Sequence, residues 1–176
     1  RSSHLRTKLI SISASDEFFA EKLHGPVYEE NSGACRFILC MIAKRGMTQE
    51  TYVDLWRQYD SKQFVWSIEH IFPQGSNIPQ SWIDMIAGGD HAKAQEYQAL
   101  YVHTLGNLTI TGYNSTLSNK SFKDKRDRKD STGKYIGYRN GLKLNADVCD
   151  KDEWTVDIIQ ARTDSMVKEI LTLFPL

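Results

Sequence analysis

Apolar side chains recur along this chain at two spacings, and the switches between them predict its elements. Leu5, Leu9 and Ile12, then Phe18, Phe19 and Leu23, keep helical spacing, with Ser15-Asp16-Glu17 as a start and Gly25-Pro26 as a stop. The run Cys35-Arg36-Phe37-Ile38-Leu39-Cys40-Met41-Ile42-Ala43 is apolar nearly all round, which predicts a buried helix ended near Gly46. A second helix is predicted from Thr48 to Tyr59, where Tyr52, Val53, Leu55, Trp56 and Tyr59 share helical spacing. Its stripe of Tyr52, Trp56 and Tyr59 reads as core in preference to a base-stacking platform. Phe64, Val65, Trp66, Ile68, Ile71 and Phe72 are β-branched or aromatic and predict a strand, which Pro73 ends because it has no amide hydrogen to donate.

Trp82, Ile83, Met85 and Ile86 follow as a short helical patch broken by Gly88-Gly89, and a polar helix runs from about Asp90 to Val102 with His91 solvated in its first turn. Leu108-Thr109-Ile110-Thr111 alternates as a half-buried strand does, between Gly106 and Gly112. A helix capped by Asn114 or Ser115 is predicted to reach Arg126 with Leu117 and Phe122 inward, and residues 130–150 read as loop. The last helix, from about Trp154 to Phe174, places Trp154, Ile158, Ala161, Met166, Ile170 and Leu173 on one face. Helices outweigh strands, so the class is α+β, mostly helical.

Composition narrows the function without naming it. The 176 residues are 40% apolar and 25% charged, an ordinary globular mixture with room for one real core. Lys plus Arg and Asp plus Glu balance at 22 each, so any nucleic-acid binding must come from local patches. No apolar run is long enough for a membrane span, and Arg1-Ser2-Ser3-His4-Leu5-Arg6 lacks a signal peptide's apolar stretch, so a cytoplasmic protein is expected. The start at Arg1 in place of Met suggests a fragment of a longer protein. Cys35, Cys40 and Cys149 form no Cys-x-x-Cys pair and read as buried free thiols, which leaves zinc unsupported.

Chemistry concentrates at Ser67-Ile68-Glu69-His70-Ile71-Phe72-Pro73-Gln74, where an acid and an imidazole sit side by side. Neighbours in a strand point to opposite faces, so Glu69 and His70 meet one ligand only where the strand gives way, and Pro73-Gln74-Gly75-Ser76 supplies such a break. Farther on, Lys120, Lys123, Lys125, Arg126, Arg128 and Lys129 stand against Asp124 and Asp127, which suits a solvated face and a phosphate-facing one equally. No phosphate-loop or other nucleotide-binding fingerprint is present.

A strand with Glu-His, a second strand after Gly-Asn-Leu and a helix opened by Asn come in the order of the ββα-metal fold, so the chain resembles the His-Asn-His nucleases. Within them it is similar to the C-terminal nuclease domain of GmrSD-type restriction proteins, a group that includes the SspE-type phage-defence effectors. The resemblance rests on the stretch around Glu69-His70, on His103-Thr104-Leu105-Gly106-Asn107-Leu108-Thr109-Ile110, on Tyr113 to Phe122 with Lys125 beyond, and on Trp154 with Ile158 to Arg162. It implies a single nuclease domain: a helical scaffold at 1–62, a ββα-metal core at 63–130 with a helical insertion at about 80–102, and a loop and closing helix at 131–176.

By that resemblance His70 is the general base that takes a proton from the attacking water, a role suited to an imidazole of ordinary pKa about 6.5. Glu69 and Asn114 would hold one divalent metal, Mg²⁺ or Mn²⁺ by their hard oxygens, with no zinc. Asn107 would brace the loop bearing His70. His103 would contact phosphate, ligate metal or pack under the strand; Asn119 would cap or support the helix or join the DNA contacts, and Lys120, Lys123 and Lys125 would hold the DNA backbone. The implied function is metal-dependent nicking of double-stranded DNA by an anti-phage restriction effector, restrained by an N-terminal sensor domain that hydrolyses nucleotide. A catalytically silent DNA-binding or protein-interaction domain, and an RNase, are the rivals. Two departures stand out: Glu69 replaces the more usual Asp, and His70 and Asn114 are 114 − 70 = 44 positions apart, more than a compact module needs.

Overall fold

The computed structural model describes residues 16–60 and 62–175; the helical spacing of Leu5, Leu9 and Ile12, and Ser15 of the expected helix start, lie outside the described residues. In chain order come α1 (Asp16–His24), α2 (Val27–Glu30), α3 (Ser32–Arg45), β1 (Ser67–His70), α4 (Gln80–Ala87), α5 (His91–Tyr101), β2 (Leu108–Thr111), α6 (Asn114–Leu117), α7 (Phe122–Asp127), α8 (Ala146–Cys149) and α9 (Val156–Leu173). The fold is α+β and mostly helical, with β1 antiparallel to β2 and Ser67 opposite Thr111, Ile68 opposite Ile110, Glu69 opposite Thr109 and His70 opposite Leu108.

Helices form where the chain carries both an apolar face and an end signal. Asn31 accepts the Ala34 amide hydrogen and opens α3, whose Cys35, Ile38, Leu39, Cys40 and Ile42 are buried. Asp90 does the same for α5 through the Lys93 amide. Gly88, at φ +60°, closes α4 in the left-handed conformation that a side chain would strain.

Several expectations fail for physical reasons. Thr48 to Tyr59 is not helical: the Thr48 and Thr51 hydroxyls accept each other's amide hydrogens and the Asp54 carboxylate accepts that of Trp56, turning the backbone instead. Tyr52, Trp56 and Tyr59 are consequently 63%, 48% and 70% exposed and lie outside the core. The strand expected over Phe64 to Phe72 shortens to β1, because Val65 donates instead to the Arg57 carbonyl across a separate turn. The helix expected from Asn114 to Arg126 is two helices, broken at Ser118 with φ +30° and restarted by Ser121, whose hydroxyl accepts the Asp124 amide. β2 is buried on both faces, and the inward face of α9 is Ile159, Arg162, Thr163, Met166, Val167 and Ile170, with Ala161 exposed.

Two apolar clusters flank the hairpin. One joins Leu39, Cys40, Leu108, Ile110, Met166 and Ile170; the other gathers Ile71, Phe72, Trp82, Phe122, Tyr138 and Trp154. α9 ties them together through Arg162, whose guanidinium donates to the carbonyls of Gly106 (2.9 Å), Leu108 (2.7 Å) and Leu144 (2.8 Å). A methyl group on Gly106 would lie 1.9 Å from the Ile159 carbonyl oxygen, so only glycine lets the turn before β2 rest against α9.

Candidate active site

β1 stops at His70, and the chain beyond it is held by one amide. The Ile71 amide donates to the Asn107 carbonyl (2.9 Å), and the Phe72 amide to the Asn107 side-chain oxygen (2.8 Å). Asn107 Nδ2 donates in turn to the carbonyls of Phe72 and Val102 (both 3.0 Å), and its Oδ1 also accepts Trp154 Nε1–H (3.1 Å). Two donors and two acceptors exhaust what a buried Asn offers, so the segment after Glu69-His70 is fixed from both sides.

Glu69, only 3% exposed, receives two hydrogen bonds on Oε1, from Lys125 Nζ (2.8 Å) and from Tyr138 Oη–H (3.1 Å). Lys125 Nζ also donates to the carbonyls of His70 and Ile71 (both 3.1 Å). Burial pushes the Glu69 carboxyl up and the Lys125 ammonium down, and the attraction between them opposes both shifts. A methyl group on Gly137 would lie 2.0 Å from the Lys125 carbonyl, and this close approach brings Tyr138 to the pair.

Lys125 is therefore not a phosphate contact. It is fully buried and turned inward on Glu69, while Lys120 and Lys123 are exposed as expected. Arg126 is likewise withdrawn from the basic face by Asp127, Asp152 and the Lys151 carbonyl.

His70, 5% exposed, meets His103 through Nε2 and Nδ1 at 3.1 Å. Tyr28 stacks on His103 with ring centroids 5.3 Å apart and sets its ring perpendicular to His70 at 4.6 Å. Burial, helped by the neighbouring His103 and Lys125, pulls the His70 imidazole down to about 3, so it is neutral at physiological pH. Its Nδ1 makes no hydrogen bond among the described residues, and neither does Glu69 Oε2; neither atom is sealed in, since the one buried orphan among the described residues is Arg36 Nε.

Both residues line a cavity of ≈ 280 Å³ together with Pro73, Gln74, Gly75, Asn114, Ser118 and Asn119. The two are the last paired residues of β1, and both border this one space. Asn114 Nδ2 donates to the Ile68 carbonyl (2.9 Å) and to Ser67 Oγ (3.3 Å), which leaves its oxygen to accept. Ser118 is the one residue other than glycine with positive φ among the described residues, and strain of this kind gathers at ligand sites.

No group of three or more His, Cys, Asp or Glu among the described residues is arranged for a metal. The oxygens at this cavity nonetheless suit a hard divalent cation: Glu69 Oε2 is uncommitted, and Asn114, on the same cavity, keeps its amide oxygen free to accept. Tyr28, Tyr138 and the inward role of Lys125 escaped the sequence reading. Tyr28 carries no signal in the sequence, and Tyr138 was marked by Gly137 alone.

Across Asn114 lies a larger cavity of ≈ 670 Å³ that reaches back to Ser67 and Ile68. No helix of the described residues is long and apolar enough to cross a membrane. One family model, that of the GmrSD restriction endonucleases' C-terminal domain, matches residues 13–169. No curated protein and no solved structure matches the chain.

Proposed function

Because the chain belongs to the C-terminal domain family of the GmrSD restriction endonucleases, we propose that it is a metal-dependent DNA endonuclease with His70 as general base and Glu69 and Asn114 as metal ligands. What carries this reading is the convergence of His70 and Glu69, each with one uncommitted atom, and Asn114 on one cavity.

In the tautomer that donates Nε2–H across the 3.1 Å contact to His103 Nδ1, the His70 Nδ1 lone pair is free for water. Nδ1 takes the water's proton as its oxygen attacks phosphorus and the bond to the 3′ oxygen breaks. An imidazole pulled down to about 3 is unprotonated at physiological pH but weakly basic, and the negative scissile phosphate beside it raises its basicity when substrate is bound. His103 is a positioning residue that sets the tautomer, and its partial exposure opens a way for the proton to leave. Lys125 and Tyr138 hold Glu69 by Oε1 and turn Oε2 to the cavity. Glu69 and Asn114 would hold the Mg²⁺ or Mn²⁺, whose chemistry there would be to offset charge on the phosphate and the leaving oxygen. Asn119, Lys120 and Lys123 hold the DNA backbone at the rim.

With one such centre the domain cuts one strand per engagement, so nicking is its expected product. Its setting is a cytoplasmic restriction effector directed against phage DNA, with a separate N-terminal domain as sensor and nucleotide hydrolase. The test is conversion of supercoiled plasmid to open circles in Mg²⁺, Mn²⁺ and EDTA. His70→Ala should lose about 10²- to 10⁴-fold in rate while still shifting DNA on a gel. Undiminished nicking by His70→Ala, or nicking in EDTA, would refute the mechanism. Wild type that shifts DNA and leaves it closed would be a binding domain, and cleavage confined to RNA would make it an RNase.

A further inference from the structure

We propose that the ≈ 670 Å³ cavity across Asn114 receives an unstacked nucleobase of the strand whose phosphate lies at His70. The inference rests on the nuclease reading and adds a binding subsite to it. Ser67 and Ile68 line this cavity and Glu69 and His70 the other, while Asn114 borders both. Two residues of strand are about 7 Å, a span that one nucleotide bridges.

The walls suit a flat, neutral, hydrogen-bonding ligand. The volume is in the range of small-molecule sites. Arg36 is the one charged residue of the lining, and it is already engaged: its guanidinium donates to the carbonyls of Trp66 and Leu55 and lies 3.7 Å from the centre of the Phe64 ring. A phosphate would find no free cation there. Phe64 is thus an aromatic wall held by an immobile cation, and Tyr59 adds an exposed ring, its turn fixed by its amide's bond to the Gln63 carbonyl (2.9 Å). Every base has a face to stack on such rings.

The lining also supplies hydrogen-bonding groups: Gln63, Ser32 and Ser67 offer polar atoms for the base edge.

The experiment uses oligonucleotides carrying 2-aminopurine at successive positions, titrated in EDTA with wild type, Tyr59→Ala and Phe64→Ala, alongside plasmid nicking in Mg²⁺. Tyr59 is exposed, so its variant folds even if Phe64→Ala does not. One position should change fluorescence on binding wild type, with affinity about 5- to 100-fold weaker in Tyr59→Ala. An abasic nucleotide there should slow wild-type cleavage to the rate of Tyr59→Ala. Wild type that nicks plasmid while no 2-aminopurine position responds, or affinity in both variants equal to that of wild type, overturns the base subsite and leaves the nuclease intact. A Tyr59-dependent response in a protein that nicks nothing in any divalent cation upholds the subsite and removes the nuclease reading.

Discussion

Replacing Lys125 by Met keeps the length of the side chain and removes its charge from beside Glu69. At 2.8 Å and an effective dielectric constant of about 20, the attraction between the two is roughly 6 kcal/mol. Desolvating two ions costs several kcal/mol each, so the intact pair contributes little net stability. The variant exposes the asymmetry: it leaves a buried carboxylate without its cation and takes from the His70 and Ile71 carbonyls the donor they share. A loss of about 3–5 kcal/mol is expected, a large part of a typical total of about 5–15 kcal/mol. Urea unfolding at pH 7 reads it as a fall in midpoint at unchanged slope. The double variant Glu69→Gln/Lys125→Met, with neither charge, should regain much of the loss, a coupling of about 2 kcal/mol or more. Unfolding of Lys125→Met within about 0.5 kcal/mol of wild type, or a double variant no more stable than the single, would refute a compensated buried pair.

Gly106→Ala should cost about 3 kcal/mol or more, since its methyl would meet the Ile159 carbonyl at 1.9 Å; an unchanged thermal midpoint would contradict that packing. Asn107→Leu strips partners from Phe72, Val102 and Trp154 at once and should destabilise by about 3–5 kcal/mol, which chemical unfolding measures; a cost below 1 kcal/mol would sink the clamp. His70 titrates near 6.5 in the unfolded chain and about 3 when folded, so between those values the unfolded state binds more protons. Stability from this group is full above pH 6.5 and falls on acidification, by about 2 kcal/mol at pH 5 relative to pH 7. His70→Ala should lose that increment, and equal pH slopes in the two proteins would count against the buried neutral ring.

Legibility followed locality. α3 could be read because its apolar positions and its stop at Gly46 are both local, and α4 because Gly88 ends it where the pattern breaks. Thr48 to Tyr59 was misread because spacing does not reveal when Thr and Asp side chains compete for the backbone. β2 alternates in sequence yet is buried on both faces, because Asn145 and α9, far along the chain, cover its polar side: Thr109 donates to Asn145 and Arg162 grips Leu108. At the cavity, Glu69, His70, Asn114 and Asn119 came from motifs. Lys125 looked like one more surface charge, and only an acid 56 positions earlier turns it inward.

The grip of α9 on the turn before β2 sets an order of assembly. Trp154, Arg162 and Thr163 bond to Asn107, Gly106 and Leu108 across separations of 47 to 57 residues. A ribosome must therefore release α9 before the loop after His70 is locked. A chain that has emerged only as far as Tyr138 carries Glu69, His70, Asn107 and Asn114 without the frame that fixes them.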